Sequence, residues 1–445
     1  VLDSVFILFS ILILFGVALP YAKGTIISAS EGYSSIWSFI FYKEVALIFM
    51  PLVLLSIYPV SSFSGLMMVE QGLVFQISLW VIYSFAVYFV LLIFLLRYLF
   101  KRAALEVAGS DMVSSAGRSK ISLFSISSIV AGASLLLVAI SFLGYEHAFF
   151  VSLITGKNLL HVRLENTYAS SLPSQISYVV GFSCWVSAIF AAYLLFLRNK
   201  LGCLVVFVVG FVLATAGGAK GPAINYVILF VMAYMFFFRP KVSVVKFSIM
   251  FPIYAALISS LMFYVVSLQV PDLDLQRFWQ YLVSRLGVGQ MAGVYETLSI
   301  EFQNPEYAWH TIPFASFFVD YPIFSKELML FTEGRDYSAT GVKNSLFIAE
   351  AFGIGGYLLM AISPFIMAFA YLIRSFILFY ALRWFFGDIV AKIYVLPILF
   401  LSTTLTGDFS SFVFQKGTIL LFLALGLVFV TKILISPFVK FFRFA

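Results

Sequence analysis

Leu73–Leu96 reads LVFQISLWVIYSFAVYFVLLIFLL, an apolar run with no charged side chain. A helix needs about 20 apolar residues to cross a hydrocarbon core of roughly 30 Å, and this run is long enough. Lipid offers the backbone no hydrogen-bond partner, so the run must be a helix or part of a closed barrel. Barrel strands alternate apolar and polar residues. Leu73–Leu96 does not, so it reads as a membrane helix. Val5–Ala22, Ile121–Phe142, Gly202–Gly217, Ala223–Phe238 and Thr418–Val430 are charge-free in the same way.

Composition extends this reading to the whole chain. Hydrophobic residues make up 62% and charged residues 11%, with a mean hydropathy of +1.06. A soluble domain carries charge on roughly a quarter of its residues. The fold class expected is therefore an all-α polytopic integral membrane protein, 1–445 forming a single transmembrane domain. Eleven spans are expected, at 5–22, 43–60, 73–97, 121–144, 175–197, 201–217, 222–238, 245–268, 352–381, 388–406 and 417–437. The opening VLDSVFILFS lacks a basic segment, and PYA lacks a small residue three before a cleavage point. The first run is thus read as a retained helix. Cys184 and Cys203 lie within apolar runs, which argues against a disulfide framework.

The net charge of +7, from 27 Lys and Arg against 20 Asp and Glu, would suit nucleic acid, but its placement points to topology. Arg97, Lys101, Arg102, Arg118, Lys120, Arg198, Lys200, Arg239, Lys241, Lys246, Arg374, Arg383, Lys432, Lys440 and Arg443 fall on one face if the spans alternate. Short cytoplasmic loops are enriched in Lys and Arg, so that face reads as cytoplasmic, with the C-terminus inside. Two long loops, 145–174 and 269–351, then lie outside. Loops are where a rigid scaffold usually carries its chemistry, and connections this long argue for an enzyme over a transporter.

The cations on the outer face are Lys157, Arg163, Lys220, Arg277, Arg285, Arg335, Lys343 and Lys416. They run against the topological bias and would suit an anion at the membrane surface, such as a lipid-linked pyrophosphate. Arginine's planar fork offers two parallel hydrogen bonds to phosphate oxygens. Arg163 and Arg285 are the strongest candidates; singly, the others read as ordinary solvated charges. Ala214–Pro222, ATAGGAKGP, joins two spans with almost no loop. Its glycines allow close backbone approach, and Lys220 could face a phosphate or snorkel to the interface. Glu350 and Asp408 sit at span edges, where ionisable groups are costly. Either could be a general base, or could pair with Lys343 or Lys416. Lys43 and Glu44 read as the start of the second span. His147, His161 and His310 lack metal-ligand spacing, so no metal site is expected. Trp279, Tyr307, Trp309 and Tyr337 could stack on sugars or form an interfacial belt.

Gly341–Leu359, GVKNSLFIAEAFGIGGYLL, resembles a segment of O-antigen polymerases and ligases, in which a His-Asn pair precedes apolar residues and a G-x-x-G entering a membrane helix. Asn344, Gly353 and Gly356 match, while Lys343 stands at the usual histidine position, a departure that favours the polymerase branch. GGAKGPAINYVILFVMAYMFFFR (217–239) and LTGDFSSFVFQKGTILLFLALGLVF (405–429) also resemble O-antigen polymerases (Wzy). The resemblance implies a GT-C-like membrane glycosyltransferase in the bacterial inner membrane, its site facing the periplasm. It implies block transfer of a growing glycan from undecaprenyl pyrophosphate to a new lipid-linked repeat unit, with no cofactor. Partners would be lipid-linked oligosaccharides, membrane lipids and a chain-length regulator, without nucleic acid. By position Arg163 and Arg285 would hold the leaving pyrophosphate, Lys220 or Arg277 assisting. Arg335, Lys343, Asn344 and Lys416 are further candidates for substrate contact. A ligase would differ only in its acceptor. A lipid-linked oligosaccharide flippase would be expected to show pseudo-symmetric halves, and none is visible.

Overall fold

The computed structural model describes residues 2–22, 36–63, 66, 68–99, 115–159, 161–163, 173–238, 259–260, 263, 267, 274–282, 288–312, 315, 318–334, 343, 345–402, 405, 407–410 and 416–441. Among these residues every regular element is helical. The long helices are α1 (Leu2–Ala22), α2 (Ile36–Ile57), α3 (Val74–Leu99) and α4 (Ser115–Phe142). After the short α5 (Ala148–Thr155) come α6 (Ser174–Phe196), α7 (Lys200–Thr215) and α8 (Lys220–Phe238). Four short helices follow: α9 (Leu275–Leu282), α10 (Ala292–Ser299), α11 (Ala308–Thr311) and α12 (Phe324–Glu333). The chain then forms α13 (Phe347–Phe386), α14 (Asp388–Ser402) and α15 (Lys416–Phe441).

Among the described residues, five helical stretches are long and apolar enough to cross a membrane: Gln71–Leu95, Gly117–Phe142, Gln175–Phe196, Phe347–Phe386 and Ile419–Pro437. Val5–Leu14, Leu47–Ile57, Lys200–Thr215 and Gly221–Val231 are shorter apolar helices. The expected span at 245–268 falls mostly outside the described residues. α2 begins at Ile36, so Lys43 and Glu44 lie inside that helix and do not open it.

The bundle has two packed groups. α6 is the centre of one, held between α4, α7 and α8. Its apolar window is 72% buried, against 17% for Ile419–Pro437 of α15, which leaves α15 at the periphery. Small residues allow the central contact, because a Cβ at Gly210 would collide with the Ser187 hydroxyl and the Tyr226 phenol. Close helix approach of this kind replaces the hydrophobic drive that lipid removes. In the second group α13 lies against α3 and α14.

Two features of α13 set up the site. Its helix breaks at Gly355 (φ −140°, ψ 22°) and Gly356 (φ 62°, ψ −155°), the latter a conformation essentially confined to glycine. The break frees backbone groups, and the Gly353 carbonyl accepts the Asn304 N–H at 2.9 Å. The G-x-x-G of the sequence is thus one contact glycine and one kink glycine. At the other end of α13, Lys432 donates to the Phe385 carbonyl at 3.3 Å, and a Cβ at Gly387 would lie 3.7 Å from the Lys120 ammonium. Sequence-distant cations therefore gather at the end opposite Glu350. Arg374 is not a loop cation. It is buried within α13, 8% exposed.

The described residues of 288–334 include short helices that fold into the bundle. Ala292–Leu298 of α10 are all buried, and the Tyr295 phenol and Ser78 hydroxyl of α3 lie 2.9 Å apart. Tyr307 is a core residue, packed edge-on against Phe324, which leaves it no face for a sugar.

Candidate functional site

Three sequence-distant segments meet above the first turn of α13. Glu350 is 1% exposed. Its Oε2 accepts the Ser410 backbone N–H at 2.7 Å, and its Oε1 lies 3.4 Å from His310 Nδ1. Ser410 Oγ is 2.8 Å from the same Nδ1. Asp408, two residues earlier, accepts a hydrogen bond from the Ser325 hydroxyl at 3.3 Å. Burial pushes the Asp408 carboxyl up to about 7, and the Glu350 charge adds to the shift. His310 and the Ser325 hydroxyl oppose it. Two acids and an imidazole are therefore held together at one end of the bundle, a grouping typical of functional sites.

The local sequence explains how each group arrives. Asn304 caps the turn Pro305–Tyr307 by accepting the Glu306 N–H at 3.0 Å, and α11 follows directly, carrying His310. The backbone bond from Asn304 to Gly353 holds this turn against α13. Gly353 is required there, because a Cβ would sit 2.9 Å from the Phe324 ring. Asp408 and Ser410 lie between α14 and α15, and the Phe347 N–H binds the Leu405 carbonyl at 3.3 Å, fixing that segment to the start of α13.

Ser410 and Glu350 share one imidazole nitrogen, and Ser410 is 3% exposed. A serine nucleophile needs the imidazole between itself and the acid and must be reachable by substrate; neither condition holds. Among the described residues no three His, Cys, Asp or Glu side chains are arranged to hold a metal ion.

Lys343 does not pair with either site acid. Its ammonium is 2.8 Å from Glu333 Oε1 and 2.7 Å from Glu296 Oε2. Lys343 and Glu296 are both buried. The Lys343 N–H also binds the Ser325 carbonyl at 3.1 Å. Burial raises the Glu296 carboxyl, and Lys343 pulls it back down. This ammonium is committed to two carboxylates beneath the site.

The start of α5 docks on the glycine turn between α7 and α8. The Ala148 N–H binds the Ala216 carbonyl at 3.0 Å. His147 Nδ1 accepts the Phe150 N–H at 3.4 Å, so Nε2 carries the hydrogen and donates to the Val212 carbonyl at 2.9 Å. Gly218 has φ 67°, and a Cβ there would stand 2.8 Å from that of Ala148 and 3.5 Å from that of Arg163. Arg163 is exposed beside this turn, and α8 begins at Lys220, two residues further on.

Arg277 is exposed and lies 3.7 Å from Asp274, which also caps its helix. Arg285, Arg335 and Asn344 lie outside the described residues, as do the side chains of Lys220, Lys416 and Trp279 and all of Tyr337. His310 and Ser410 were not singled out from the sequence as reactive groups. His310 stands forty residues before Glu350, and only the fold brings them together. No family model, curated protein or solved structure matches the chain.

Proposed function

We propose that this chain is a membrane glycosyltransferase of the O-antigen polymerase type, GT-C-like in fold. It would transfer a growing glycan from undecaprenyl pyrophosphate to a new lipid-linked repeat unit at the periplasmic face of the bacterial inner membrane. The observation that carries this reading is the Glu350–His310–Asp408–Ser410 cluster, set at the end of the bundle opposite the gathered lysines. Taking the lysine-rich end as cytoplasmic puts the acids on the outer side, where a polyprenyl-linked donor presents its diphosphate.

The reaction suits these parts. The leaving group is already activated, so the chain must bind the diphosphate, align an acceptor hydroxyl and accept its proton. Arg163, with Lys220 opening the adjacent helix, supports diphosphate binding next to the Gly217–Gly218 turn, and Arg285 is its proposed partner. Fixed cations aimed at developing negative charge are the usual large term in such catalysis. Glu350 and Asp408 supply the negative environment that a transferred proton needs.

The test is Arg163→Ala and Arg285→Ala in cells, with lipopolysaccharide resolved on a gel. Loss of the laddered long chains in both is expected, and Arg163→Lys should also be impaired. Unchanged ladders in both alanine variants would overturn the assignment. A deletion strain separates the ligase alternative, since it would leave the core bare instead of capped with one repeat. Reporter fusions that place residues 269–351 in the cytoplasm would defeat both.

A further inference from the structure

We infer that His310 is the catalytic residue that takes the proton from the attacking acceptor hydroxyl, through Nε2, with Glu350 and Ser410 as positioning residues for its ring. This rests on the glycosyl-transfer reading above and goes beyond the acids singled out from the sequence.

A general base must come within about 2.6–3.2 Å of the hydroxyl whose proton it takes. Glu350 cannot do so. It is 1% exposed, with Oε2 held by the Ser410 N–H and Oε1 facing the imidazole. Ser410 is equally enclosed. The His310 side chain is 18% exposed. Its Nδ1 faces the Glu350 carboxylate and the Ser410 hydroxyl, while Nε2 has no hydrogen-bond partner among the described residues. A carboxylate beside Nδ1 favours the tautomer with its hydrogen there, which turns the Nε2 lone pair outward.

Among the described residues, the groups facing the ring are Glu350 from α13, Asp408 and Ser410 from the segment before α15, and Tyr321, whose ring centroid is 5.8 Å away. Glu350 and Asp408 are acids, so positive charge arriving on the imidazole is met by negative charge. In the reaction the acceptor oxygen bonds to the anomeric carbon of the donor glycan as the bond from that carbon to the phosphate oxygen breaks. The electron pair leaves with the diphosphate, and the hydroxyl proton moves to Nε2. The resulting imidazolium is held by Glu350 and later returns its proton to water.

The experiment uses the full chain in lipid nanodiscs with purified undecaprenyl-pyrophosphate-linked repeat units. His310→Ala should lower kcat about 10²–10⁴-fold, the usual worth of a general base, with KM little changed. The wild-type rate should rise with pH at the acidic end of its profile, and the variant should lack that rise. Added imidazole should restore part of the His310→Ala rate, which a merely structural role would not allow. Glu350→Gln should displace the rise along the pH axis. Full activity in His310→Ala, or an unaltered pH profile in it, would overturn the inference. If His310→Ala fails to fold, a fully active His310→Gln does the same. A wild-type protein that makes no polymer would sink the glycosyl-transfer reading and this inference together. A polymerising wild type with a fully active His310→Ala removes only the role of His310.

Discussion

Replacing Lys343 by Met removes one ammonium from between two carboxylates. The lysine is 5% exposed, Glu296 0% and Glu333 20%, so solvent can relieve only Glu333. Stripping one partner from a buried ion pair costs about 3–5 kcal/mol, because the other charge is left without compensation. Glu296 can escape part of that cost by binding a proton, since burial already raises its carboxyl and Lys343 holds it down. A carboxyl raised in the folded state gives stability that is complete below its unfolded value and lost as pH rises through the folded one. The Lys343→Met penalty should therefore be small at acid pH and grow towards neutral and alkaline pH. Cys184 and Cys203 are free and buried, so a fluorogenic thiol dye reports unfolding directly. The melting temperature of Lys343→Met should fall by several degrees at pH 8 and by less at pH 5. Lys343→Met with Glu296→Gln should recover most of the loss. An unchanged melting temperature at pH 8, or no recovery in the double variant, would refute the idea that compensation holds these elements together.

Gly356→Ala places a side chain at φ 62°, ψ −155° and should cost about 1–3 kcal/mol; activity should drop with it as the Glu350 turn shifts, and equal melting temperatures would count against a required kink. Asp408, raised to about 7 from an unfolded value of about 3.9, should make the protein less stable as pH rises through 7. Asp408→Asn should flatten that slope, as followed by thermal unfolding across pH. His147 is shifted the other way, lowered by burial; its contribution is complete above about 6.5 and lost as pH falls. Proteolysis within 145–163 should therefore quicken on acidification, and His147→Ala should bring that susceptibility to neutral pH at a cost of about 0.5–2 kcal/mol for the lost helix cap.

The membrane class was legible from Leu73–Leu96 alone, because a charge-free run of that length has few alternatives once backbone satisfaction in lipid is considered. The same constraint located five long apolar helices among the described residues. The acids Glu350 and Asp408 were legible for a related reason: an ionisable group at the edge of hydrocarbon is costly enough to stand out. The two glycines of the Gly353–Gly356 motif were visible as a pattern, but their division into a packing contact and a kink was not.

Pairing was beyond the sequence. Lys343 looked free to meet Glu350 or a phosphate, yet the fold buries it against Glu296 and Glu333, which come from separate helices. His310 looked like a loop histidine until the Asn304–Gly353 bond laid its turn on α13. Tyr307 and Arg374 belong to the core for the same reason, that burial depends on which helices meet. Hydropathy is a property of single residues summed along a chain, so one sequence records where it enters lipid. A charge or hydrogen bond shared across segments has no local signature, and only the packed tertiary structure decides it.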